Sequence, residues 1–211
     1  YEEAAAQGLV AGINAAMYLK GEEPLILDRS ESYIGVLIDD LVTKETKEPY
    51  RMMTSRAEYR LLLRQDNADL RLSKYGYRVG LISKERYDWV EKKEQLIADE
   101  IKRLDSVHVG ANSKVQELLE QYGSVPLNTG TSLSELIRRP ELCYEMLAPS
   151  DTDRVELPAE VIEQININIK YDGYIKRQIK QVEHFKKLEK KRIPEDFDYD
   201  DVGSLRLEAR Q

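Results

Sequence analysis

Residues 44–78 carry nine basic side chains against five acidic ones, a local charge of +4 in a chain whose formal total is −7. Six of the nine are arginines (Arg51, Arg56, Arg60, Arg64, Arg71 and Arg78), whose planar fork suits two-point contacts with phosphate. Tyr50, Tyr59, Tyr75 and Tyr77 interleave with them as candidate stacking platforms for unpaired bases. The composition is that of an RNA-contacting patch. It is also that of a solvated face whose arginines pair with nearby carboxylates, and residue types alone leave both readings open. A second stretch, residues 170–192, holds nine basic against three acidic residues. Lysines at that spacing read first as the wet face of a helix, and second as salt-sensitive contacts to a phosphate backbone.

Other chemistries find little support. His108 and His184 lie far apart, and neither has a partner at metal-ligand spacing. Cys143 sits between Leu142 and Tyr144, where an apolar setting raises a thiol pKa, so it reads as core packing. Asp39 and Asp40 are expected to point in different directions on helix or strand; they can hold a basic partner but form no acid/base dyad. Neither a complete dinucleotide-binding glycine motif nor a phosphate-binding loop of the Gly-Lys-Ser/Thr type is present. The negative total charge excludes a surface coated for nucleic acid, though not a local patch. No apolar run is long enough to span a membrane, and one cysteine with no signal-like opening makes a cytoplasmic setting the default.

These residues must be positioned by a largely helical chain. Residues 2–20 are alanine-rich and free of proline, and Gly21 follows as a stop signal. On that helix Ala4, Gly8, Gly12 and Ala16 form a ridge of small side chains. Glu2 and Glu3 satisfy its dipole themselves, which favours a packed helix over a phosphate-binding one. Residues 33–42 are helix or strand, and residues 59–64 read as a half-buried strand. From Ser83, a predicted N-cap, a helix carries Trp89, Val90, Leu96, Ile97, Ile101 and Leu104 on a stripe. Further helices are expected at 113–122, ending at Gly123, and after a Ser132/Glu135 capping box. Residues 149–158 read as a linker. Beyond them lie two helices or one bent helix with Gly173 at a bend or close contact, although the Ile/Asn alternation at 165–169 also suits a strand. Opening on Tyr1 inside a helical pattern reads as a fragment of a longer chain.

The string from Tyr1-Glu2-Glu3-Ala4-Ala5-Ala6-Gln7-Gly8 through Leu9-Val10-Ala11-Gly12-Ile13-Asn14-Ala15 resembles the second signature of the GidA/MnmG family, flavoproteins that modify the wobble uridine of certain tRNAs. A folate-dependent tRNA methyltransferase family has a similar helix. The block Gly35-Val36-Leu37-Ile38-Asp39-Asp40-Leu41, the run from Thr46 to Arg64 and the segment Asp66-Asn67-Ala68-Asp69-Leu70-Arg71-Leu72 resemble GidA/MnmG alone. Arg138-Arg139-Pro140-Glu141, Lys170-Tyr171-Asp172-Gly173-Tyr174-Ile175 and Arg192-Ile193-Pro194 extend the likeness over nearly the whole chain. Met53 stands where the family usually has phenylalanine, and Ser204-Leu205-Arg206-Leu207 fits it loosely.

The resemblance implies a mainly α fold: the last helix of an α/β flavin-binding domain (1–24), a short mixed α+β segment with the basic patch (25–82), and a helical C-terminal domain (83–211), incomplete at its end. It implies a tRNA-modifying enzyme using FAD, NADH, a folate one-carbon donor and glycine or ammonium. The enzyme would act as a homodimer with the GTPase MnmE, away from membranes, to place a carboxymethylaminomethyl group on C5 of the wobble uridine. Gln7 matches a position that contacts FAD. Arg51, Arg56, Arg60 and Arg64, supported by Lys47, are the expected tRNA contacts. The fragment is not expected to be catalytic alone. The alternatives are a helical interaction or dimerisation module without RNA contact, and a methyltransferase relative.

Overall fold

The structure, a computed structural model, describes residues 1–44 and 48–192. Seven α-helices carry most of it: α1 Glu2–Lys20, α2 Tyr33–Thr43, α3 Ala68–Arg78, α4 Lys84–Ser106, α5 Ser113–Gln121, α6 Leu133–Ile137 and α7 Ala159–Glu189. Two-residue strands β1 His108–Val109 and β2 Thr131–Ser132 pair antiparallel, and 3-10 turns form at Thr54–Arg56 and Glu145–Ser150. The fold is mainly α, as the sequence implies. Residues 1–178 form one compact unit, and the residues from 179 onward belong to a second. The described part of the second, residues 179–192, contains the end of α7, with Phe185 and Leu188 exposed. Among the described residues no helix is long and apolar enough to cross a membrane.

Local signals set most helix ends. Gly21 adopts φ 69°, and the amides of Gly21 and Glu22 close α1 on the carbonyls of Tyr18 and Met17. The Ser83 side chain caps α4 by accepting from the Arg86 amide. Ser132 caps α6 through the Glu135 amide, but the Glu135 carboxylate turns to Arg138 at 2.5 Å, so this half of the capping box is all that forms. Asn112 caps α5 through the Val115 amide, and Gly123 follows with φ 66°. Gly35 lies so close to the Leu27 and Asp28 carbonyls that a Cβ there would collide with them.

The main apolar core lies among α4, α5, α6 and α7, where Leu104, Leu119, Leu136, Ile137, Val161 and Ile165 are almost fully buried. A smaller cluster of Val36, Ala57 and Leu63 sits beneath α2, flanked by Tyr33 and Met52. Buried Lys93 on α4 reaches Asp69 on α3 at 2.8 Å and Glu160 on α7 at 3.0 Å, tying three helices together.

Three expectations change, and the helical reading of 165–169 stands over its strand alternative. Residues 59–64 are not a strand: the amides of Leu62 and Leu63 both turn back to the Tyr59 carbonyl, and Leu63 is buried in the small cluster. Among the described residues of 25–82 there is no strand, so the mixed segment is helix and turn. Residues 149–158 are not a free linker, because buried Asp151 accepts from Arg103 at 2.6 and 2.9 Å and Arg154 donates to the Tyr144 carbonyl. The alternation at 165–169 is helical. Ile165 and Ile169 face the core, while the Asn166 side chain accepts from the Tyr144 amide at 2.8 Å. Helix α7 also runs through Gly173, which has no neighbour within reach of a Cβ.

Candidate nucleic-acid interface

Helix α2 presents Asp39 and Asp40 side by side, and one atom of Arg29, Nη1, donates to both, at 2.8 and 2.5 Å. The two carboxylates therefore converge, against the expectation that they point apart; a long guanidinium from the loop before α2 bridges them. The other arm of Arg29, Nη2, donates to Glu58 at 2.6 Å and to the Arg56 carbonyl at 3.4 Å. Asp40, its side chain 1% exposed, also accepts from Lys44 and from the Tyr50 hydroxyl, each at 2.7 Å, and lies 3.8 Å from Arg56. Arg29, Lys44 and Arg56 thus meet Asp39, Asp40 and Glu58 in a hub of balanced charge.

Its electrostatics follow from this wiring. Burial raises the Asp40 carboxyl, but hydrogen bonds from Lys44, Tyr50 and Arg29 outweigh it and bring the pKa to about 2. Tyr50 is pushed up to about 12 by burial and by donating to a carboxylate. Burial would lower Arg29, but its bonds to Glu58, Asp40 and Asp39 raise it above its ordinary value. The guanidinium of Arg56 lies over the Tyr50 ring, 4.3 Å from its centroid.

The expected RNA-contacting arginines separate into two sets. Arg51 and Arg60 are exposed, and among the described residues neither has a hydrogen bond or a salt bridge. Arg51 contributes charge that helps hold Glu3 below the usual carboxylate range, behind the larger effect of the Met52 amide, which donates to Glu3 at 2.9 Å. Arg56, partly exposed, joins the outward set. Arg64 turns inward: it clasps Asp66 through Nε at 3.2 and 3.1 Å, donates to the Leu61 carbonyl, and reaches Gln164 of α7 at 3.4 Å. Buried Gln164 in turn donates to Asp66 at 2.8 Å, so Arg64 belongs to a latch between this segment and α7. Arg71 is spent likewise on Asn67 and on the carbonyls of Arg64 and Glu31. Lys47 lies outside the described residues.

The tyrosines divide too. Tyr59 is buried, Tyr75 donates to Glu31, and Tyr77 stacks on Tyr87 with ring centroids 4.7 Å apart. In the second basic stretch, Lys170 donates to the carbonyls of Arg139 and Pro140, and Lys176 pairs with Asp172 at 2.8 Å. Gln7 lies exposed on α1 and its amide donates to the Glu3 carbonyl at 3.2 Å. It is one polar contact beside an open small-residue ridge, with no Cβ-range neighbour at Gly8 or Gly12. Sequence reasoning did not single out Arg29. Its signal was the Asp39-Asp40 pair, two adjacent carboxylates on an otherwise apolar helix that require a cation.

Residues 84–179 match the family model described as the tRNA modifying enzyme MnmG/GidA C-terminal helical domain. Over its whole length the chain is 66% identical to the tRNA uridine 5-carboxymethylaminomethyl modification enzyme MnmG of Lachnoclostridium phytofermentans. It is 61% identical to the protein of the same name from Caldicellulosiruptor saccharolyticus. In both cases it covers 34% of the relative, so the chain spans about a third of the length of these relatives. The structure of Aquifex aeolicus GidA in its form II crystal superposes with a TM-score of 0.76 at 43% identity, covering all of this chain and 32% of that one. With residues 84–179 matching the helical-domain model and likeness along the whole of this chain in both sequence and fold, the chain is similar to the MnmG/GidA family.

Proposed function

We propose that this chain forms part of an enzyme that installs a carboxymethylaminomethyl group at C5 of the wobble uridine of tRNA, and that it supplies tRNA contacts. The whole activity includes FAD, NADH and a GTPase partner, MnmE, and a homodimeric, cytoplasmic enzyme. The relatives' name supports the reaction. Gln7 serves as one contact to the flavin. The observation that carries the RNA role is the outward pair Arg51 and Arg60. In a segment where Asp39, Asp40, Glu58 and Asp66 are taken up by other cations, these two guanidinia keep no salt bridge among the described residues. Exposed arginines without a salt bridge suit phosphate oxygens, since binding breaks no close ion pair. Lys47 supports them by its charge, and Arg64 holds the segment in place through its latch on Asp66.

The test is binding of an unmodified tRNA to the full chain by fluorescence anisotropy across a salt series, beside the double variant Arg51→Glu/Arg60→Glu. Salt-dependent binding that the variant loses supports the reading. Equal binding by both proteins, or none by either at low salt, overturns it in favour of an interaction or dimerisation module.

A further inference from the structure

We propose that Arg56 is a stacking surface for one unpaired nucleobase of an RNA loop, and not a phosphate clamp like Arg51 and Arg60; this rests on the RNA-contact reading above. The geometry points there in three steps.

Arg56 is held as a plate. Its guanidinium lies on the Tyr50 ring, 4.3 Å from the centroid. Tyr50 is fixed beneath it, because its hydroxyl is tied to Asp40 at 2.7 Å. The backbone is fixed as well: the Arg56 amide closes the 3-10 turn on the Met53 carbonyl at 2.9 Å, and its own carbonyl accepts from Arg29. The guanidinium is therefore held against an aromatic ring, while 42% of the side chain remains in solvent.

The surroundings also disfavour an anion. Arg56 lies 3.8 Å from the Asp40 carboxylate, in a hub where three carboxylates already match three cations. A phosphate brought to this plate meets Asp40 and Glu58 with little uncompensated positive charge to attract it. A neutral base meets no such repulsion. A planar, weakly hydrated guanidinium is a good stacking partner for it, and RNA recognition favours unpaired bases splayed onto such planes. Arg51 and Arg60, free of salt bridges among the described residues, are suited to the phosphates on either side.

Each role leaves a different thermodynamic mark. A phosphate contact contributes to the slope of log affinity against log salt, about 0.7 per contact on a single strand, whereas a stacked base contributes affinity without slope. The experiment uses the full chain and an RNA stem-loop, with an abasic nucleotide placed in turn at each loop position. Arg56→Lys keeps the charge and removes the plane; Arg56→Met removes both. We expect each to weaken wild-type binding by roughly 5- to 100-fold, the range of one lost base stack, with the salt slope unchanged. One abasic position should weaken the wild type by a similar factor and leave Arg56→Lys unaffected, which is the signature of coupled partners. Arg60→Gln should instead lower the slope and remain sensitive to the same abasic position.

An Arg56→Lys protein that binds like the wild type overturns the proposal. So does a slope that falls in Arg56→Met, which marks a phosphate contact, or a loop with no position coupled to Arg56. If the Arg51→Glu/Arg60→Glu protein loses binding while Arg56→Lys is silent, stacking alone is wrong; if the wild type binds no RNA, both readings fall together. Arg56 is largely at the surface, and matching far-UV circular dichroism and melting of the variants exclude unfolding as the cause.

Discussion

The region from α4 to α7 and the segment from Arg29 to Arg64 solve the same problem by different means. In the first, leucines, isoleucines and valines from four helices are sealed from water, and the polar groups buried with them act as ties at the edges. In the second, the apolar cluster has three buried members, and a hub of three cations on three carboxylates fixes the chain. Apolar burial is non-directional and insensitive to pH. Charged hydrogen bonds are directional, so they can hold an irregular stretch in one shape with little core beneath it, and they leave guanidinia at the surface. A surface proposed to meet RNA is built from the kind of interaction that presents charge rather than hiding it. The same choice makes it the more acid-sensitive region.

That contrast can be broken or sharpened by substitution. The largest expected effect is Leu136→Ala in the apolar region, where the side chain is 1% exposed. It should cost about 2–5 kcal/mol in urea unfolding through lost burial and a cavity, with the same cost at pH 4 and pH 7. Next, Asp40→Ala leaves Arg29 with two of its three carboxylates and strands Lys44 and Tyr50. A cost of about 2–3 kcal/mol is expected for removing one member of a buried ion pair whose partners keep some solvent. A cost near zero would show that the hub is ornamental.

Acid titration tests the same hub without a large structural change. The folded Asp40 pKa is about 2 against an ordinary 3.8. A depressed carboxyl pKa contributes stability that is fully present above the unfolded pKa and is lost as pH falls through the folded one. Roughly 2 kcal/mol should therefore disappear between about pH 4 and pH 2, and Asp40→Asn should flatten that part of the acid limb. Ser83→Ala, which removes the α4 cap, should cost about 1 kcal/mol at any pH in this range. The smallest effect is reserved for Arg60→Gln. Stability should stay within about 0.5 kcal/mol of the wild type, since nothing in the described residues pairs with it.

The helices were legible because their signals are local. Gly21, Ser83 and Ser132 act within three or four residues of themselves, and the stripe Val90, Ile97 and Leu104 needs only helical spacing to find the core. Residues 59–64 were misread because three leucines between arginines imitate a strand's alternation, whereas the turn is set by how Leu63 meets Val36 and Ala57. Residues 149–158 were misread for a similar reason. Prolines and aspartates look like a loop until Arg103, 48 residues away, closes on Asp151.

By itself the sequence determined the helical character, the caps and the concentration of arginines in one segment, all of which depend on residue type and near neighbours. Tertiary structure alone decided which arginines are spent and which are offered. Gln164 stands 98 residues from Asp66, yet it completes the latch that draws Arg64 inward, and Arg29 crosses 29 residues to Glu58 to settle the hub. A guanidinium is equally at home against a carboxylate of its own chain or in solvent facing a ligand. Composition cannot choose between these states, because the choice rests on which carboxylates the fold brings within about 3 Å.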